Sequence, residues 1–134
     1  LMAERSDIPA FSLDSPVFDF EEIVKSELRW NGIPPIIWRL AVFMGKLHGI
    51  DIYEKTPRDG IQKIGNRALM VMHGTDDTRV PFLHSKRLVK FASSLGKEVQ
   101  FIVNNNSDHN EALLMEPELI RKNLIEFFEK NLTN

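Results

Sequence analysis

Residues 68–81 constrain the fold of this chain more than any other segment. They read Ala-Leu-Met-Val-Met-His-Gly-Thr-Asp-Asp-Thr-Arg-Val-Pro. The continuous apolar run Ala68–Met72 is typical of a parallel strand that is buried on both faces, and Pro81 is a residue that favours a helix start. Two carboxylates, Asp76 and Asp77, lie between the strand and that helix. The segment therefore predicts a helix-covered parallel sheet with acidic groups where a strand ends.

Helical and strand-like patterns alternate along the rest of the chain, which favours parallel pairing and right-handed crossovers. Together they predict a single α/β domain over residues 1–134, with three parallel strands and flanking helices. In chain order, the predicted elements are a helix end at Leu1–Arg5, a strand at Ala10–Asp14, helices at Phe20–Trp30 and Pro35–Leu47, a helix start near Thr56, the strand Ala68–Met72, a helix at Pro81–Leu95, a strand at Glu98–Val103 and a final helix from Pro117.

Composition excludes several classes of function. The chain has no cysteine, so neither disulfides nor thiolate metal sites are available to it. A net charge of -2 gives no basis for a polyanionic partner, and we predict no nucleic-acid binding. The longest apolar stretch, Ile36–Met44, is too short to span a bilayer and contains Arg39. With no signal-like segment at the start, we expect a cytoplasmic protein that does not associate with membranes.

An acid and a histidine follow neighbouring predicted strands. Asp77 comes after the strand Ala68–Met72, and His109 comes after the strand Glu98–Val103 within Ser-Asp-His-Asn. Parallel strands end at the same sheet edge, where a carboxylate can fix the tautomer of a catalytic imidazole. The alternative is that Asp77 caps the next helix or closes a turn while His109 is a surface loop residue. Spacing alone leaves both interpretations open.

The segment His73-Gly-Thr-Asp-Asp-Thr-Arg-Val-Pro81 resembles the region after the seventh strand of α/β-hydrolases, most closely the prolyl-oligopeptidase-type and related serine esterases. The shared pattern is Gly-x-x-Asp-x-x-Val-Pro. The resemblance implies that Asp77 is the catalytic acid and His109 the catalytic base. Ala10–Pro16 resembles the sixth strand, so the chain would hold strands six to eight. Some of these hydrolases carry their acid after the sixth strand, which makes Asp14 a reserve candidate, although a turn-capping role suits it better.

The sequence contains no Gly-x-Ser-x-Gly, the pattern that places a nucleophilic serine on a sharp strand-to-helix turn. Ser94 lies where a helix is predicted to end, and Ser15 precedes a proline, so we reject both as nucleophiles. The resemblance then implies that the chain begins downstream of the serine and of the usual oxyanion-hole donors. We expect a part of a serine hydrolase that needs no cofactor and is inactive alone. Its substrate would be an ester, thioester or peptide, and an N-terminal half is a candidate partner.

Residues 17–50 resemble the helical insertion that covers the pocket in many of these hydrolases. Four large side chains in this segment either line an apolar pocket or, more simply, pack on the sheet and on one another: Trp30, Trp38, Phe43 and Met44. His48 and His84 are expected to be exposed or at the rim of the core.

Two other classes of function remain as alternatives. Side chains of His73, Asp76, Asp77 and His109 could ligate a metal, but the sequence has no paired-histidine helix motif, and we predict no metal. The second alternative is a non-catalytic interaction module. The strand Ala10–Asp14 would then expose an unpaired edge that favours a homodimer, and the apolar helix Pro35–Leu47 offers a second interface.

Overall fold

Three parallel strands form one sheet in the computed structural model, which describes residues 5–51, 53 and 56–132. The strands β1 (Ala10–Asp14), β2 (Ala68–Gly74) and β3 (Val99–Asn104) lie in the order β1-β2-β3. Ala10 pairs with Ala68, and Leu69 pairs with Val99, so chain order and sheet order coincide. The predicted fold class is confirmed. The helix end predicted at Leu1–Arg5 falls outside the described residues, except for Arg5, which is not helical.

The helices α1 and α3 begin at local capping interactions. Asp19 caps α1 by accepting a hydrogen bond from the Glu22 backbone N–H at 3.1 Å. Thr56 and Asp59 form a reciprocal capping box at α3. The helix bounds are α1 Phe20–Trp30, α2 Ile36–Leu47, α3 Pro57–Lys63, α4 Leu83–Ser94, α5 Ala112–Met115 and α6 Pro117–Leu132. Helix α4 begins two residues after the predicted Pro81, and the sequence reading missed the one-turn α5.

Strand β2 is the centre of the core, since side chains of a strand alternate between the two faces of the sheet. On one face, Leu69 and Val71 pack in a cluster with residues of β1, of the connection to α1, of α3 and its C-cap, and of α4: Phe11, Phe18, Ile61, Ile64, Leu88 and Ala92. On the other, Met70 and Met72 pack with Ala10 and with residues of α5 and α6: Ala112, Ile120 and Phe127. Both faces are covered, as the continuous apolar run predicts.

The helices α1 and α2 have no buried residue. Trp30 is 89% exposed and Phe43 is 58% exposed. The expectation that Trp30, Phe43 and Met44 pack on the sheet is therefore wrong. The physical reason is that the described residues place no layer against the outer surface of these two helices.

His84 connects the start of α1 to α4, the helix in which it lies. It is 1% exposed, and its Nδ1 accepts hydrogen bonds from the backbone N–H groups of Phe18 and Asp19, both at 3.3 Å. Burial lowers the pKa of His84, while Glu22 acts in the opposite direction. The prediction of an exposed or rim histidine is wrong, because helical periodicity in α4 does not reveal two backbone donors that arrive from a distant segment.

Candidate active site

The loops after β2 and β3 pack directly on each other at the carboxyl edge of the sheet. The Thr75 N–H donates to the Asn104 carbonyl at 2.9 Å, and the Asp76 N–H donates to the Ser107 carbonyl at 3.1 Å. Gly74 permits this approach, because a Cβ at that position would overlap the backbone carbonyl of Ser107. Glycine is therefore needed at position 74 for a steric reason, because the two loops approach each other too closely for a side chain.

Asp108 holds the histidine loop to the acid loop. Its Oδ1 accepts hydrogen bonds from the backbone N–H of Thr78 at 2.8 Å and from the backbone N–H of His109 at 2.7 Å. The Thr78 hydroxyl donates to the same carboxylate. The hydrogen bonds from the backbone N–H groups of Thr78 and His109 lower the pKa of Asp108, while desolvation acts in the opposite direction. The sequence reading did not assign Asp108 a role, and its position directly before His109 was the available signal.

Asp77 and His109, the two residues predicted to converge, are hydrogen-bonded. His109 Nδ1 lies 2.8 Å from Asp77 Oδ2. Since an ionised carboxylate is only an acceptor, Nδ1 carries the hydrogen and donates it, and Nε2 of the neutral ring is left with a free lone pair. The Asp77 side chain is fully buried, whereas 23% of the His109 side chain is exposed. The arrangement can present a base to a group that approaches from outside.

The second oxygen of Asp77 closes the turn that the alternative interpretation expected. Oδ1 accepts the backbone N–H groups of Arg79 at 2.9 Å and Val80 at 2.7 Å. The two interpretations of Asp77 thus describe its two oxygens. Burial acts to raise the pKa of Asp77, but the hydrogen bonds from Val80, His109, Arg79 and Ser15 together lower it below its usual value. The carboxylate is held ionised where it faces the imidazole.

Asp14 lies at the end of β1 and is electrostatically coupled to Asp77 and His109, but it accepts a hydrogen bond from the neighbouring Ser15 hydroxyl at 3.4 Å. Burial raises the pKa of Asp14, with the Ser15 hydrogen bond opposing. The hydrogen bond to His109 belongs to Asp77, which makes Asp77 the better placed of the two acids.

The two serines rejected as nucleophiles lie in different settings: Ser15 is buried beside Asp77, whereas Ser94 lies in α4. The Ser94 hydroxyl donates to the Phe91 carbonyl at 2.7 Å within α4. Ser15 directly follows β1 with φ of 45°, and its backbone N–H donates to the Met72 carbonyl at 2.9 Å. Proline follows Ser15, and helix α1 begins only at Phe20, so the strand-turn-helix of a nucleophile elbow is not formed there.

Of the four large side chains expected in the insertion, Trp38 lines a cavity of about 570 Å³. Phe18, Phe20 and Tyr53 contribute to its walls, and Arg58 contributes a cation. Trp30, Phe43 and Met44 are not among the described residues that line this cavity.

Four side chains were considered as metal ligands. One of them, Asp76, instead accepts a hydrogen bond from the Thr75 hydroxyl at 3.0 Å. No acid or histidine group of metal-binding geometry occurs in the part of the chain that the structure describes.

Comparisons with known proteins agree with this architecture. An esterase from Pyrococcus furiosus superposes with a TM-score of 0.67 at 16% identity, over 97% of this chain and 47% of that esterase. An acylaminoacyl peptidase from Pyrococcus horikoshii superposes with a TM-score of 0.51 at 24% identity, over 59% of this chain and 13% of the peptidase. These similarities show the fold. The chain thus spans about half the length of the esterase.

A search of curated protein sequences gives no significant match. Among the described helices, none combines the length and apolarity that crossing a membrane requires.

The sequence model of the prolyl oligopeptidase family matches residues 38–134, which include β2, β3 and both loops of the candidate site. Because this match extends over more than half of the sequence and agrees with the resemblance read from Gly74 to Pro81, the chain belongs to the prolyl oligopeptidase family.

Proposed function

We propose that this chain contributes the acid and the general base of a serine hydrolase that cleaves an ester, thioester or peptide bond. The observation that carries the proposal is the 2.8 Å hydrogen bond between Asp77 Oδ2 and His109 Nδ1. Family membership supports the reaction class, and the similar structures are an esterase and a peptidase. Asp77 is the acid, and His109 is the base.

The geometry of the pair suits proton transfer. Asp77 fixes the tautomer of His109, so that Nε2 can accept the proton of a serine hydroxyl during attack on a carbonyl. The buried carboxylate stabilises the imidazolium that forms, and His109 then returns the proton to the leaving group. With 23% of its side chain exposed, His109 is accessible to a group that approaches from outside the described residues.

The nucleophile must come from outside these 134 residues, because no nucleophile-elbow sequence occurs in them. The chain spans 47% of the esterase to which it is similar. We therefore expect the isolated chain to be inactive. Saturable turnover of a p-nitrophenyl ester by the pure chain, abolished by His109→Ala, would show that this expectation is wrong.

The decisive experiment starts from the chain purified from its native source together with whatever carries the serine. Native and denaturing mass spectrometry establish the composition of the sample, and a fluorophosphonate probe then labels the reactive serine. In recombinant material of the same composition, His109→Ala should slow labelling by about 10³-fold, as expected for loss of a general base. His48→Ala is the matched control, since His48 ends α2 and is exposed. Equal labelling rates in both variants would contradict the proposal.

A non-catalytic interaction module is the second candidate function, favoured by the position of β1. Within the described residues β1 pairs with β2 alone, so one of its edges is open to strand addition. In this case, the pure chain would be a homodimer in which the β1 amides on the edge away from β2 exchange slowly with solvent. A monomer at high concentration in which these open-edge amides exchange rapidly would contradict pairing through β1.

A further inference from the structure

His73 is a fully buried histidine that the proposed reaction does not use. It is the second-last residue of β2, four residues before Asp77, and its exposure is 0%. Both ring nitrogens have partners, one on each side of the ring. Hydrogen bonds at both nitrogens hold a buried imidazole in one orientation, and they restrain the positions of the two groups that it contacts.

The partners of Nε2 determine where the ring hydrogen lies. Nε2 is 2.8 Å from the Val80 carbonyl oxygen and 3.1 Å from Asp77 Oδ2. A carbonyl and an ionised carboxylate are both acceptors, so a bare Nε2 would set its lone pair against two oxygens away from water. Nε2 therefore carries a hydrogen. Nδ1 lies 2.5 Å from the Ser85 hydroxyl of α4, a group that can donate or accept.

The Val80 peptide connects His73 to the position of the acid. The Val80 carbonyl accepts the hydrogen of His73 Nε2, while the Val80 N–H donates to Asp77 Oδ1 at 2.7 Å. The turn that orients Asp77 is thus restrained by the side chain of His73 in β2. The hydrogen bond to Ser85 of α4 restrains His73 in turn. With Oδ1 fixed in this way, Oδ2 points to His109 Nδ1.

We propose that His73 is a positioning residue for Asp77: its Nε2–H holds the 77–80 turn so that the carboxylate presents Oδ2 to His109. The structural part of this proposal stands without catalysis, and its consequence for the reaction rests on the proposed function. His73 makes no contact with a reacting group. It acts through Asp77.

The test uses two variants of similar length that differ in one donor. Gln places an amide N–H near the position of Nε2, and Met fills the same space without a donor. In ¹H NMR spectra of the folded chain, the hydrogen shared by His109 and Asp77 should give a low-field signal. We expect this signal in the wild-type protein and in His73→Gln, and we expect its loss to solvent exchange in His73→Met. Thermal unfolding of both variants shows whether they are folded.

Retention of the His109 signal in a folded His73→Met variant would overturn the proposal, as would its loss in a folded His73→Gln variant. Should Met prevent folding, ¹⁵N spectra of the wild-type ring give the answer: hydrogen on Nε2 supports the proposal, and hydrogen on Nδ1 alone overturns it. Failure of the proposed function has a different signature. In that case, the spectra of the wild-type protein and of the two His73 variants would be as expected, but the fluorophosphonate probe would label serine at equal rates in the His109→Ala and His48→Ala variants.

Discussion

The sheet with its carboxyl-edge loops and the helix pair α1–α2 are built in opposite ways. Around β2 the chain buries polar as well as apolar groups, and His73, Asp77, Asn104 and Ser107 are all inaccessible or nearly so. Helices α1 and α2 follow local rules of capping and periodicity but bury no residue. The difference teaches that contacts within the chain determine the shape of the site, whereas the residues that the structure describes leave the outer surface of the helix pair uncovered.

The largest contrast should come from equal truncations in the two regions. Leu88 of α4 is 1% exposed in the core, and Leu40 of α2 is 57% exposed. Leu88→Ala should lower the free energy of unfolding by about 3 kcal/mol, since it removes buried methyl groups and leaves a cavity. Leu40→Ala should change it by less than about 0.5 kcal/mol. Urea denaturation followed by circular dichroism measures both. Similar losses would mean that α2 is covered in solution.

The second contrast concerns the close approach of the two loops. Gly74→Ala should cost about 2 kcal/mol, because the added methyl group overlaps the Ser107 carbonyl and must push the histidine loop away. Gly60→Ala is the control: a Cβ there meets nothing within 4 Å, and alanine in α3 should stabilise by up to about 1 kcal/mol. Chemical denaturation of both variants gives the values. A Gly74→Ala variant as stable as the wild-type protein would show that the loops do not pack this closely.

A smaller effect is expected from the carboxylate that joins the loops. Asp108→Ala removes the acceptor of the Thr78 and His109 backbone N–H groups, so both amides should exchange faster with solvent. Asp76→Ala is the matched control, because the Asp76 side chain accepts only the neighbouring Thr75 hydroxyl among the bonds described. Hydrogen exchange followed by NMR compares the two. Faster exchange in both variants, or in neither, would contradict the bridging role of Asp108.

The smallest effect is the pH dependence that His84 contributes. Burial lowers its pKa in the folded chain, so the unfolded chain binds the proton more readily. Its stabilising contribution is therefore complete above the ordinary histidine pKa of about 6.5 and declines as the pH falls below that value. His84→Asn keeps an acceptor near Nδ1 but does not titrate. Urea denaturation between pH 8 and pH 5 should show a weaker decline for the variant. Parallel curves would remove His84 as the cause.

Much of the fold could be predicted because its determinants are local. The apolar run Ala68–Met72 requires cover on both faces, and the observed core supplies it. The pairing of Asp77 with His109 could also be predicted, since parallel strands end at one edge and the Gly-x-x-Asp-x-x-Val-Pro pattern resembles a known family. Its catalytic role and the boundaries of a cap-like insertion at residues 17–50 remain predictions.

The sequence by itself determined the three strands, most of the helix bounds and the two loops that carry an acid and a histidine, because hydrophobic periodicity, glycine and proline act over a few residues. Only the tertiary structure decided that Asp108 joins the loops, that His84 is buried under α1 and that His73 hydrogen-bonds to the Val80 carbonyl of the 77–80 turn. Each of these contacts joins a side chain to a backbone group in a different element or loop. Their partners are set by where the sheet places the chain, and residue spacing does not encode that position.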